Sequence, residues 1–422
     1  MHDKMEVRKK HERRKKRKRK STYRRTLKIV LVFLIFVVIL LISALLFWKF
    51  GSQNLKNDLL KVLLRQQVVR NIVAEEVKDE FEKVQDKDFN EDDIIVNEEV
   101  GKKLTGYQNI VLFGIDARDD TFNSYTRSDA IMIISINNDT GAVRIVSLYR
   151  DTYLNIIQND GSTFYNKANV AYSMGGAPAA VSTLNTNLDL NIDDYIVINF
   201  NGLSEIIDLI GGVDINITDL EMRRINKIGS DMEAELGREF TEVQESGLVH
   251  LDGFQATAYC RIRDAVFTDA EEHKYYYDFG RTARQRYVVQ ELVAKAKASG
   301  ISTLLSLAKQ VLNMNTEDKT FMKTSLEYDE IMDLVPVIID YNIEASSGFP
   351  FTLQTVNLDG ADLVVAEGMA CNVSALHSFL FNDKDYQPSK TVDEIDSYIT
   401  NCTGVQPCIP VLEEIEYNGL IN

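Results

Sequence analysis

Residues 29–48 run for twenty positions without a charged side chain and with Ser43 as the one polar group. At the rise of an α-helix, about 1.5 Å per residue, such a run matches the hydrocarbon thickness of a bilayer, about 30 Å. It exceeds the roughly 7–15 apolar residues of a cleaved signal peptide. The run therefore reads as a single transmembrane helix, closed by Trp48 and Phe50, which suit a membrane interface. Charge divides across it. Residues 1–28 carry 15 Lys and Arg against Asp3, Glu6 and Glu12, a net of +12, whereas residues 29–422 carry 32 basic and 60 acidic side chains, a net of −28. The overall −16 describes neither part. The run RRKKRKRK at 13–20 stands directly before the apolar segment. The positive-inside rule makes it a cytoplasmic tail rather than a nucleic-acid contact, and sends the acidic remainder outside the cell. An oxidising exterior would let Cys260, Cys371, Cys402 and Cys408 pair; their spacing fixes no connectivity, and they read as structural.

Five segments follow from this reading: a basic tail (1–28), the membrane helix (29–48), a helical stalk with an acidic linker (49–100), a globular domain (101–300) and a C-terminal extension packed on it (301–422). The stalk is a solvated spacer in one reading and a surface for self-association in the other, because its apolar residues, Leu55, Leu59, Val62, Val69, Val73 and Val77 among them, recur at helical spacing. Beyond it the texture is α/β. Short apolar runs at 109–115, 130–137 and 142–148, the last two joined by Asn138-Asp139-Thr140-Gly141, read as strands with a hairpin. Helical patterns at 167–174, 177–188 and 203–210 and strands at 195–200 and 213–217 alternate after them. Such alternation implies a central mixed sheet with helices on both faces. Residues 230–247 read as a charged surface insertion.

Several catalytic devices are missing. The chain has no GxxxxGK[ST], GxGxxG, HExxH or CxxC, and beyond the basic tail its histidines are His250, His273 and His377, none beside a nucleophile. The informative residues are carboxylates and arginines at element ends. Asp116 follows the first strand and Asp129 opens the second. Neighbouring strand ends share one edge of a sheet, and two carboxylates there can take a hard cation such as Mg²⁺, although each alone is more often a turn former or helix cap. Arg150 follows the third strand; Arg261 and Arg263 alternate; Arg281 and Gln285 stand at i and i+4 of a helix start. Guanidinium forks match phosphate oxygens, so arginines repeated at element ends in so acidic a chain point to an oxyanion site.

The ordered motifs NIVLFGID, RSDAIMIISIN, VSLYRDT, YNKANVAYSMGG, IIDLIGGVDI, HLDGFQATAYCRIRD and DFGRTARQRYVV, within residues 107–295, resemble the LytR-CpsA-Psr family of Gram-positive bacteria. That resemblance implies an α/β/α sandwich with an apolar lipid tunnel, anchored in the cell membrane by one helix with its N-terminus in the cytoplasm. It also implies a phosphotransferase that moves an anionic glycopolymer, such as wall teichoic acid or capsular polysaccharide, from an undecaprenyl pyrophosphate carrier to peptidoglycan. On the matching motifs, Asp116 and Asp129 would bind Mg²⁺ or Mn²⁺. Arg127, Arg150, Arg261, Arg263, Arg281 and Gln285 would hold the pyrophosphate. Asp278 would lie beside it, with Asp116 or Asp278 as the base; Lys167 falls in a family motif without a ligand of its own. A non-catalytic polymer-binding regulator and a lipid pyrophosphatase are the alternatives. Two departures stand out: Tyr149 replaces the proline of the family's Ser-Leu-Pro-Arg-Asp-Thr, and the stretch FTDAEEHKYYY at 267–277 is long, with tyrosines suited either to stacking on glycan or to an ordinary surface loop.

Overall fold

Three strands that are apolar on both faces set the architecture: β1 (Tyr107–Ile115), β2 (Ser128–Asn137) and β3 (Ala142–Leu148). Successive strand side chains point to opposite faces, so such strands need cover on both sides. Val111, Phe113, Ile131, Ile133, Val146 and Leu148 enter one core, while Leu112, Met132, Ile134, Val143 and Ile145 enter another. The computed structural model describes residues 81–410 apart from positions 88, 118–121, 123–125, 237, 271, 317–318, 328–329, 332–340 and 409. The expected tail, the membrane helix at 29–48 and most of the stalk lie outside the described residues. Among the described residues no helix is long and apolar enough to cross a membrane.

In chain order the remaining elements are α1 (Glu98–Lys103), the hairpin of β4 (Tyr153–Ile157) and β5 (Thr163–Lys167), α2 (Asn169–Leu188), β6 (Asp194–Asn199) and α3 (Phe200–Leu209). Next come β7 (Val213–Ile217), α4 (Asp219–Leu236), β8 (Gly247–Leu251), α5 (Gly253–Tyr259), the short β9 (Phe267–Thr268) and β10 (Lys274–Tyr275), α6 (Tyr277–Ser299) and α7 (Ile301–Leu312). Strands β11 (Met322–Thr324), β12 (Asn342–Phe349), β13 (Leu353–Leu358) and β14 (Ala361–Ala366) precede α8 (Met369–Phe381) and α9 (Lys390–Thr403). The central sheet runs β11-β6-β1-β2-β3-β12. It is mixed: β1, β2 and β3 are antiparallel neighbours, while β6 on β1 and β12 on β3 are parallel.

Helices α2, α8 and α9 bury Ala180, Val181, Leu184, Val373, Leu376, Phe379 and Ile395 against one face of the sheet. Val289 and Val293 of α6 close the other. The α/β/α sandwich expected from the resemblance is therefore present. α2 is two helical stretches joined at a kink, where Gly175 and Gly176 leave helical geometry and Gly176 takes φ +69°; only glycine adopts that conformation freely.

Three expected boundaries differ from the structure. Residues 301–410 are no appendage, because β11 and β12 are the two edge strands of the central sheet. Residues 81–104, assigned mainly to stalk and linker, are packed on the body: Phe81 and Val84 are buried with Leu312 and Met322, Val100 and Leu104 join the main core, and Tyr195 donates to Asp86 at 2.9 Å. Residues 219–236 form α4, which takes in 230–236 of the expected surface insertion. Its start is a capping box: Glu221 accepts from the Thr218 backbone N–H at 2.9 Å, and Thr218 Oγ1 accepts from the Glu221 N–H at 3.2 Å.

Candidate active site

The site begins at a defect in the sheet. Pairing of β1 with β2 slips between Gly114, opposite Ala130, and Ile115, opposite Ser128, which leaves Asp129 as an extra residue. A β-bulge frees one residue from the ladder and re-aims its side chain. Asp129 uses that freedom to meet two arginines from distant parts of the chain. Arg150, just past β3, donates from Nη1 to Oδ1 at 2.5 Å, and Arg281, in the first turns of α6, reaches Oδ2 at 3.4 Å. Arg281 Nη2 also donates to the bulge carbonyl of Asp129 at 3.1 Å.

Asp278, one turn before Arg281, completes the lattice. It lies 3.1 Å from Arg281 Nη2, 3.6 Å from Arg150 Nε and 3.5 Å from Arg263 Nε. Three guanidinium groups thus converge on one carboxylate. Burial pulls the pKa of Arg150 down, but Asp129, Asp278 and Asp151 together outweigh it, and the net direction is up. Arg281 moves the other way: its burial, reinforced by Arg150 and Arg263, outweighs Asp278 and Asp129. Arg281 is therefore the less compensated cation and has the more to gain from an incoming anion.

In front of this lattice lies a cleft of about 480 Å³ lined by Asp116, Asp129, Arg261, Arg263, Arg281 and Gln285, and also by Phe200, Arg224, Lys227, Asp231, Cys260 and Asp264. The lining charges are five cationic and four acidic, so the cleft is locally cationic within a strongly acidic sequence. Arg261 and Arg263 both face it while Ile262 between them is fully buried, as their alternation implied. Arg261 stacks over Phe200, 4.8 Å from the ring centroid. Of the expected residues, Arg127 is exposed and is not on the cleft wall; Arg150 and Asp278 brace the lattice behind it. Lys167 pairs with Asp151 at 3.3 Å. All four cysteines are free, and burial pushes the Cys260 thiol up to about 12, which leaves it inert as a nucleophile.

Residues 66–364 match the model of the LytR_cpsA_psr family. The chain belongs to this family. A polyisoprenyl-teichoic acid–peptidoglycan teichoic acid transferase TagU of Bacillus cereus is 33% identical over 232 residues, 53% of this chain and 67% of the relative. A protein of the same name from Enterococcus faecalis is 31% identical over 232 residues, 55% of this chain and 65% of the relative. The crystal structure of protein gbs0355 from Streptococcus agalactiae superposes with a TM-score of 0.54 at 24% identity, covering 70% of this chain and 92% of that one. That likeness concerns the fold, a mixed α/β sandwich.

In this LytR-CpsA-Psr protein the motifs missed Arg224, Lys227 and Asp231, which α4 contributes to the cleft. The signal existed: with Ile228 they stand at i, i+3, i+4 and i+7, one face of a helix. They also missed the strut behind them. Arg284 is fully buried and donates from Nε and Nη2 to Glu221 Oε1 at 2.9 and 2.7 Å, and to the Ala265 carbonyl at 3.1 Å. That pair bolts α4 to α6, and with them the Arg224 and Arg281 walls of the cleft.

Proposed function

We propose that this chain transfers a glycopolymer from a polyprenyl-pyrophosphate carrier to peptidoglycan, a reading supported by relatives named as polyisoprenyl-teichoic acid–peptidoglycan teichoic acid transferases. The observation that carries the reading is the convergence of Arg150, Arg263 and Arg281 on Asp129 and Asp278 at the head of a cationic cleft. Pyrophosphate carries dense charge, and its transfer depends on preorganised positive groups more than on covalent help from the protein. Arg281, Arg261 and Arg263 would grip the two phosphates from the cleft wall while Arg150 holds Asp129 in place.

A sugar hydroxyl of the acceptor attacks the polymer-linked phosphorus. The new P–O bond forms as the bond to the lipid phosphate breaks, and that phosphate leaves with the electron pair. We assign Asp278, engaged with three guanidinium groups, as a positioning residue, and Asp116, on the cleft wall, as the group that takes the hydroxyl proton. Asp116 and Asp129 are also the residues that would hold Mg²⁺ or Mn²⁺. Both line the one cleft, and a hard cation commonly takes one or two carboxylates with water and substrate phosphate completing its shell; Asp129 would meet it while also paired to Arg150 and Arg281, so Asp116 is the carboxylate more open to it. Bound there, the ion would offset charge on the phosphate oxygens.

Localisation belongs to the same reading: the apolar run at 29–48 behind its basic tail supports a single-pass anchor with the domain outside the cytoplasm. The test supplies purified full-length chain in detergent with Mg²⁺, a lipid-pyrophosphate-linked glycan and peptidoglycan oligomers. Glycan joined to the acceptor, with lipid monophosphate released, supports transfer. Free glycan regardless of acceptor would make the protein a pyrophosphatase, and lipid binding without either product would make it a binder.

A further inference from the structure

The tyrosine run 275–277 is split by the fold. β9 and β10 form a two-rung hairpin in which Phe267 pairs with Tyr275 and Thr268 with Lys274. Tyr275 is buried, its ring 6.0 Å from that of Phe267, and its hydroxyl donates to Asp269 at 3.1 Å. Asp269 also accepts the His273 backbone N–H at 2.8 Å, which closes the hairpin tip. Tyr275 and Phe267 in turn pack on Ala283 of α6. The hairpin is thus anchored to the helix that carries Arg281.

The next two side chains go the other way. Tyr276 is 51% and Tyr277 76% exposed, the latter the most exposed large apolar side chain among the described residues. Tyr277 also opens α6 at φ +51°. A bulky residue in the left-handed region is a steric outlier; it persists only where the surroundings impose it, and such strain gathers at functional sites. Here it stands immediately before Asp278, on which the three arginines converge.

We infer that Tyr276 and Tyr277 form a platform on which uncharged sugar rings of the acceptor glycan rest beside the cleft. The inference rests on the transferase reading above. Charge selects the occupant: residues 267–277 carry Asp269, Glu271 and Glu272 against Lys274, an excess of negative charge that offers nothing to an anionic polymer, whereas Arg224 and Lys227 of α4 do. A polyprenyl chain would need an enclosed apolar channel rather than two phenols in water. Tyrosine combines a flat apolar face with a hydroxyl and little rotamer freedom to lose, which suits a hydroxylated ring.

The test uses full-length chain, its lipid-linked donor and a soluble peptidoglycan oligosaccharide. The Tyr276→Ala/Tyr277→Ala variant should raise the acceptor KM about tenfold while the donor KM stays within twofold, and Tyr276→Phe/Tyr277→Phe should restore most of the loss. An unchanged acceptor KM, or an equal rise in both, overturns the inference while leaving transfer intact. If the wild-type chain fails to transfer, the functional reading falls. Calorimetric binding of the same oligosaccharide then decides the platform separately: it is refuted if wild type and the Ala variant bind alike or neither binds. Thermal unfolding at the wild-type midpoint shows that the variants are folded.

Discussion

Replacing Glu221 by glutamine should unfold this protein at a markedly lower temperature, even though Glu221 lies outside the cleft. Its Oε1 receives two bonds from the fully buried Arg284, and its Oε2 receives the Thr218 backbone N–H and hydroxyl at 2.9 Å each. Glutamine keeps the shape but removes the charge, and it puts an NH₂ group against one of two sets of donors. Removing one member of a buried ion pair typically costs about 3–5 kcal/mol, because the survivor stays desolvated and uncompensated. For a body of this size about 2 °C is lost per kcal/mol, so the midpoint should fall by roughly 6–10 °C. Thermal unfolding followed by circular dichroism measures this directly. The double variant Glu221→Gln/Arg284→Met removes the stranded charge as well and should recover more than half of the loss. A single variant within about 2 °C of wild type, or a double variant no more stable than the single, would refute the strut.

Other outcomes are equally specific. Arg281→Lys should lower the transfer rate by at least about 100-fold with the fold retained, since an ammonium cannot bridge Asp129 and Asp278 together as the guanidinium does; initial rates decide it. Asp116→Asn should abolish transfer, and chelation of divalent ions should do the same to wild type until Mg²⁺ or Mn²⁺ is restored, which initial rates before and after re-addition decide. Buried His377, stacked on Tyr386 and donating to the Leu188 carbonyl at 3.1 Å, has its pKa lowered by desolvation from 6.5 to about 4. Because the unfolded chain then binds the proton more readily, stability is full above about pH 6.5 and falls toward pH 4, by up to about 3 kcal/mol. Denaturant titrations at several pH values should show that slope in wild type and lose it in His377→Gln.

The sheet strands were legible because both faces of β1, β2 and β3 are buried and their apolar runs are nearly continuous. The kink in α2 was legible as a gap between two helical patterns at Gly175-Gly176. The hairpin β4–β5 escaped notice although Asn159-Asp160-Gly161 marks its turn, since its strands YLNII and TFYNK mix polar and apolar side chains. The role of the C-terminal third was hidden for a different reason: that β12 lies parallel to β3 is a long-range pairing with no local sign. In the site, strand-end carboxylates and motif arginines announced themselves by position. Glu221 and Arg284 did not, because a buried ion pair is a relation between two helices and each partner alone looks like a surface charge.

The same late pairing has a consequence for how the chain is made. β3 ends at Leu148, but the strand that covers its open edge begins at Asn342. At about 5–20 residues per second, that edge waits on the order of 10–40 seconds for its neighbour. During the wait an apolar strand presents bare N–H and C=O groups, a template for any other nascent chain. Holding factors that occupy such edges during synthesis should therefore govern how much of this protein reaches its final form, and a truncation anywhere before β12 should aggregate rather than yield a smaller working domain.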